Sequence, residues 1–229
     1  MSQSKRIWGW FFYDWACQPF YTLMLTFFFA PYFATVAADY FVASGMEIEA
    51  SKAKAQTMWS ICLSASGLFI GISAPILGAI ADTSGRRMPW IYVFSIMLIV
   101  GALGTWVGVP DGSNLTLMLY FFALGYIGTE FALIFTNAQL TTLGNQNEIG
   151  KISGSGFGFG YLGGVFALAI ALLFLVEQPN GTTFMLGIEP LFGFLNPENM
   201  EGTRFVGPLA AIWFFIFAIP YFKNIKDDP

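Results

Sequence analysis

Histidine is absent from these 229 residues, and that absence removes several chemistries at once. A Ser–His intramembrane protease, a His-ligated metal site and a haem bundle each need an imidazole. Charge is scarce as well: 10% of residues are Asp, Glu, Lys or Arg, with net charge −4 and an isoelectric point near 4.7. Ten Lys and Arg supply no basic face for phosphate, so a nucleic-acid partner is excluded. Only two cysteines occur, Cys17 and Cys62, both in apolar stretches. They read as small buried residues, not as a disulfide framework or metal ligands. No P-loop pattern is present, so ATP hydrolysis is not the energy source, and no cofactor is expected.

What remains is apolar. Hydrophobic residues make up 56% of the chain, mean hydropathy is +0.64, and 26 Phe with 7 Trp exceed soluble usage, which points to an integral membrane protein. A spanning helix needs about 20 mostly apolar residues. Six such runs occur, at Cys17–Ala38, Thr57–Ala81, Trp90–Val109, Leu115–Leu143, Ile152–Val176 and Phe205–Phe222, predicting an all-α membrane protein with six transmembrane helices over 17–222. Residues 1–16 read as a cytoplasmic or interfacial N-terminus, whose IWGWFFY aromatics suit the headgroup belt. Residues 223–229 read as a cytoplasmic tail or the start of a central linker. A cleavable signal peptide competes for the N-terminus, with ATVAA at 34–38 as its small-residue site, but Asp14 interrupts the run and its apolar length is too great.

Lys and Arg set the orientation, because cytoplasmic segments retain positive charge. One side collects Lys5, Arg6, Arg86, Arg87, Lys151, Lys223 and Lys226; the other holds Lys52, Lys54 and Arg204. Both termini are therefore expected in the cytoplasm, and a positive-inside plasma (inner) membrane is expected as the location. The long outer loop between the fifth and sixth spans contains TTFMLGIEPLFGFL, too short to cross a bilayer. It reads as an interfacial or folded-over segment.

Between the second and third spans lies GAIADTSGRR, residues 78–87. Gly78 would let a helix approach a neighbour closely, Asp82 can accept hydrogen bonds at a helix terminus, and Gly85 permits a positive-φ turn. Arg86 and Arg87 offer planar donors to helix carbonyl ends and anionic lipid. The plain alternative is a turn that doubles as a topology signal. The spacing Gly78-x-x-x-Asp82-x-x-Gly85-Arg86-Arg87, in this loop of a six-span chain, resembles the signature of the major facilitator superfamily. YDWACQPFYTLMLTFFFAPYF from Tyr13, NEIGKISGSGFGFGYLGG from Asn147 and AIWFFIFAIPYF from Ala211 are similar to its vacuole-effluxer branch. That branch usually carries Asn where this chain has Cys17, so a role tied to that amide is not carried over.

The resemblance implies a fold of two inverted three-helix repeats, N-in and C-in, that forms the amino-terminal half of a secondary transporter. It also implies a loop motif that acts as a latch between halves during alternating access, and a small polar solute, with amino-acid efflux as the class. Major facilitators have twelve spans and this chain carries six. A second six-helix half is therefore the expected partner, from the same longer chain or from a second copy. The runner-up is a non-transporting six-helix subunit or scaffold that pairs with other membrane proteins.

An ionised group inside a bilayer costs about 2.5–3.5 kcal/mol on insertion scales, so each one calls for a reason. Glu130 within the fourth span and Asp14 at the cytoplasmic edge of the first are the two in question. Glu130 sits mid-span with Asn137 at i+7 on the same face. In the implied fold, helices one and four occupy equivalent positions around the cavity. Glu130, Asn137 and Gln18 are then candidates for binding solute or coupling ion; a structurally hydrogen-bonded Glu130 is the alternative. Asp14, nearer the cytoplasm, would cap the first helix or pair with an Arg. Pro19 would bend that helix and free a carbonyl towards the cavity. Gly156, Gly160 and Gly164, spaced as G-x-x-x-G in the fifth span, read as helix-packing positions. With no strand before them, the fifth-span glycines do not form a nucleotide loop.

Overall fold

The structure, a computed structural model, describes residues 2–227. Met1 and the last two tail residues, Asp228 and Pro229, lie outside the described residues. Six helices long and apolar enough to cross a membrane occur among them, and the chain is all-helical, as its apolar runs predict. They are α1 (Gln3–Ala43), α2 (Ile48–Ser84), α3 (Met88–Gly104), α4 (Leu115–Ala138), α5 (Gln146–Phe174) and α6 (Glu201–Asn224).

Several helices begin earlier than the apolar runs do, because capping groups rather than hydropathy decide the ends. Glu47 accepts the Ala50 N–H at 3.0 Å, so α2 starts at Ile48 and not near Thr57. Asn145 and Glu148 form a capping box, so α5 starts at Gln146. Residues 3–16, read from sequence as an N-terminal stretch ahead of the first span, are helical and continuous with it.

α1 is three segments in one rod: an α-helix over Gln3–Pro19, a π-helix over Phe20–Phe27, and an α-helix over Phe29–Ala43. Proline lacks an N–H, so the carbonyl four residues earlier, Trp15, loses its helical donor. The Trp213 indole of α6 donates to that carbonyl at 3.2 Å. The freed carbonyl is thus taken up by a neighbouring helix and does not turn to a cavity.

α3 packs most extensively on α4, and α1 packs on both α5 and α6; α1 also contacts α2, α2 contacts α4, and α3 contacts α6. Exchanging α1–α3 with α4–α6 maps most of these pairs onto one another; the α1–α2 pair is the exception, with no counterpart of similar extent. Aromatic rings fill the core, with Tyr13, Phe20, Phe29, Phe33, Phe122, Phe131 and Phe214 fully buried. α2 lies at the outside, with 6% of its most apolar window buried. One end of the bundle gathers the N-terminus, the α2–α3 and α4–α5 turns and the tail: Gln3 donates to the Leu143 carbonyl at 3.1 Å, Arg6 to Thr142 at 3.0 Å, and Arg87 to the Ala138 carbonyl at 2.9 Å.

Candidate functional site

A cleft of about 710 Å³ opens between α1, α4 and α5, lined by Asp14, Gln18, Tyr21, Asn137, Ser153 and Tyr161 among others. Its volume falls in the range of small-molecule sites. Of the three candidates named from sequence, Gln18 and Asn137 line this cleft. Glu130 is half-buried on α4, where its Oε1 accepts the Tyr21 hydroxyl at 2.8 Å. Tyr21 itself is in the cleft wall, so the carboxylate meets the cleft through the phenol.

Tyr21 was not singled out in the sequence, where one more aromatic in an aromatic-rich run carries no signal. Its setting is the π segment of α1, whose wider turn displaces side chains from the positions that a regular helix would give. π segments often lie at functional sites, and the interruption at Pro19 is the feature that marks this one in the sequence.

Asp14 is not at a helix start. It lies about three turns into α1, lines the cleft and is directed at Gly160 of α5. Gly156, Gly160 and Gly164 all face α1: a Cβ at each would run into Trp10, Asp14 and Thr22 respectively. Gly163, one position from that stripe, lies against the Trp15 carbonyl. The small residues of α5 thus let α1 approach and place Asp14 at the cleft edge.

In the α2–α3 turn, Gly85 has φ +64° and closes α2 in the left-handed conformation that glycine adopts without penalty. Arg87 then forks: Nη2 donates to Asp82 Oδ1 at 2.6 Å and Nη1 to the Ala138 carbonyl at the end of α4. The tail supplies the cap for α3, since Asp227 Oδ1 accepts the N–H groups of Arg87 and Met88 at 2.9 and 3.0 Å. A carboxylate there suits the positive helix end. Gly78 behaves differently from its reading in the sequence: a Cβ there meets nothing within 4 Å, so within these residues no helix approaches it closely.

At the opposite end of the bundle, Glu177 Oε2 accepts the Thr203 N–H at 3.0 Å in the first turn of α6, and Gly202 leaves room for that carboxylate. Arg204 donates to the Trp106 carbonyl at 2.7 Å and sits over its ring. Burial pushes the Glu177 carboxyl up from the ordinary glutamate value of 4.5, while the Thr203 N–H and Arg204 pull it down by less. A raised folded-state value means that the native protein holds its proton longer than the unfolded chain does. Stability should therefore fall as pH rises from 4.5 through the raised value. Glu177→Gln should flatten that part of a thermal-stability profile measured in detergent; an unchanged slope would assign it to other groups.

The family described as Vacuole effluxer Atg22 like matches residues 2–229. The chain is 25% identical over 226 residues to a protein of Bacillus subtilis (strain 168) described as an uncharacterized MFS-type transporter, YxiO. That alignment covers 98% of this chain and 47% of the relative, so the chain spans about half the length of the curated relative it matches. No solved structure matches it.

Proposed function

The chain belongs to the Atg22-like vacuole effluxer family, and from that premise we propose that its six helices are one half of a secondary transporter that moves a small polar solute by alternating access. The solute- and ion-facing surface is the cleft between α1, α4 and α5. The observation that carries this reading is the Tyr21–Glu130 pair beside that cleft: a carboxylate retained deep in an apolar helix and joined to a residue of the cleft wall. Gln18 and Asn137 supply hydrogen-bonding groups on the facing walls, and Asp14 adds a second carboxylate at the cytoplasmic side. With one charge sign in the wall, the preferred solute carries a cationic or ammonium group, as amino acids do. The word effluxer in the family description supports export as the direction, and a plasma (inner) membrane is the location we assign.

A second six-helix half completes the cavity, and the Asp82–Arg87 turn is the latch surface against it. The exposed α2 and the open space beside Gly78 support that arrangement.

The test is flux of neutral and cationic amino acids in proteoliposomes that hold the complete transporter under an imposed ion gradient. Glu130→Gln should cut flux at least about tenfold, the equivalent of roughly 1.4 kcal/mol. Tyr21→Phe keeps the carboxylate and should cost less. Both variants should elute in size exclusion as the unmodified protein does. If Glu130→Gln leaves the flux of every solute unchanged, the cavity role of this carboxylate is wrong and the scaffold reading gains.

A further inference from the structure

The loop between α5 and α6 presents apolar side chains outward from a backbone that is held firmly in place. Phe184, Met185 and Leu186 are exposed, and Phe192 and Phe194 are 70% and 83% exposed. Between and around them, Thr183, Pro190 and Leu195 are buried, and Leu191 packs on the core. The exposed side chains are thus the outward residues of an anchored segment. Leu191 and Phe192 adopt φ of +46° and +59°, a left-handed region that non-glycine residues rarely enter. Hydrogen bonds from Phe192 N–H to the Glu189 carbonyl at 3.0 Å and from Phe194 N–H to the Leu191 carbonyl at 3.3 Å accompany it. A backbone held in a disfavoured state to display phenylalanines calls for something to receive them.

The loop's depth identifies the receiver. Met185 N–H donates to the Leu172 carbonyl at 3.1 Å and Phe184 N–H to the Val176 carbonyl at 3.2 Å, so this strand of the loop runs beside the last turn of α5. Phe192 lies with its ring centroid 5.8 Å from that of Phe174, the final residue of α5. The apolar side chains therefore extend the exposed apolar surface of α5 past its last turn, at the depth where a spanning helix passes from acyl chains to headgroups. Charge narrows the chemistry further: residues 177–203 carry Glu177, Glu189, Glu198 and Glu201 and no Lys or Arg. Attraction to anionic headgroups is ruled out as the driving term, which leaves burial of apolar area.

We propose that residues 184–194 form a monotopic foot that inserts Phe184, Met185, Leu186, Phe192 and Phe194 into the outer leaflet, with zwitterionic phospholipid as its partner. The foot fixes the outer ends of α5 and α6 at one depth in the bilayer.

The experiment places a nitroxide at Phe194→Cys, with Asn180→Cys as the polar comparison, in the full chain carrying Cys17→Ser and Cys62→Ser. The protein is reconstituted in phosphatidylcholine vesicles, and spin relaxation by oxygen is compared with relaxation by a water-soluble nickel chelate. The oxygen-to-nickel ratio at 194 should exceed that at 180 by at least about fivefold, as insertion by several ångströms requires. Replacing a third of the lipid by phosphatidylglycerol should not raise it. Equal nickel access at both positions would overturn the proposal in favour of a loop in water. A 194 label shielded from both reagents would overturn it in favour of cover by protein. Leu186→Cys serves as the reporter should Phe194→Cys fail to fold.

Discussion

Gly101→Ala should cost the protein about 3 kcal/mol of stability, at the upper end of the usual penalty for overpacking. The added methyl carbon would fall on the backbone N and Cα of Gly125 and 2.7 Å from the Phe121 carbonyl oxygen. Backbone atoms in a helix have no rotamer to escape into, so the only relief is to separate α3 from α4 along the most extensive helix contact in the chain. Gly128 closes the same seam from the other helix, where a Cβ would meet the Leu98 N–H group at 2.6 Å and the Phe94 carbonyl at 2.7 Å. Thermal unfolding in detergent measures the loss. The comparison is Gly71→Ala, at a helical position where the methyl group meets nothing within 4 Å. There alanine's better helix propensity should leave stability unchanged or raised by up to about 1 kcal/mol. Equal stability of the Gly101 variant and the parent would mean that the two backbones do not touch as described.

The second large effect is expected at Arg87. Arg87→Ala removes two donors from one planar group, the one to Asp82 and the one to the Ala138 carbonyl. The Asp82 side chain is 64% exposed, so that ion pair contributes at most about 1 kcal/mol. The bond to the helix-end carbonyl, made by a charged donor, adds about 1.5 kcal/mol. A total near 2 kcal/mol follows, and it should fall as salt screens the exposed pair. Arg87→Lys tests the geometry, because one ammonium cannot span both acceptors as the guanidinium fork does. It should recover less than half of the loss in the same unfolding measurement; full recovery would show that charge alone, and not the fork, matters.

The spans were legible because an apolar run long enough to cross a bilayer is hard to conceal. Their starts were not, because Glu47 and the Asn145–Glu148 pair extend α2 and α5 through polar sequence. The loop motif was legible for the opposite reason: an Asp and two Arg stand out in a chain with 10% charge. Its cap on α3 was not, since Asp227 lies 140 residues from Arg87 and nothing local pairs them. Glu130 and Asn137 were visible as polar residues in an apolar helix, whereas Tyr21, the partner of Glu130, was hidden among aromatics. The Gly101–Gly125 contact was equally hidden, because among 25 glycines no spacing tells which pair will meet across two helices.

The π segment of α1 changes how that helix has to be numbered around its axis. Each residue in the wider turn advances by less than the roughly 100° of an α-helix, so the phase slips over Phe20–Phe27. Trp10, Tyr13, Cys17, Phe20 and Met24 mark the inward face of the first part. Continuing their period would point Phe27, Pro31 and Thr35 at the core, yet all three are exposed, and Phe29, Tyr32, Phe33, Val36, Ala37 and Phe41 are the buried ones. Any scan of substitutions or labels along this helix therefore needs two angular origins, one on each side of the π turn. A single wheel drawn from Gln3 would assign lipid and protein to the wrong sides of the outer half.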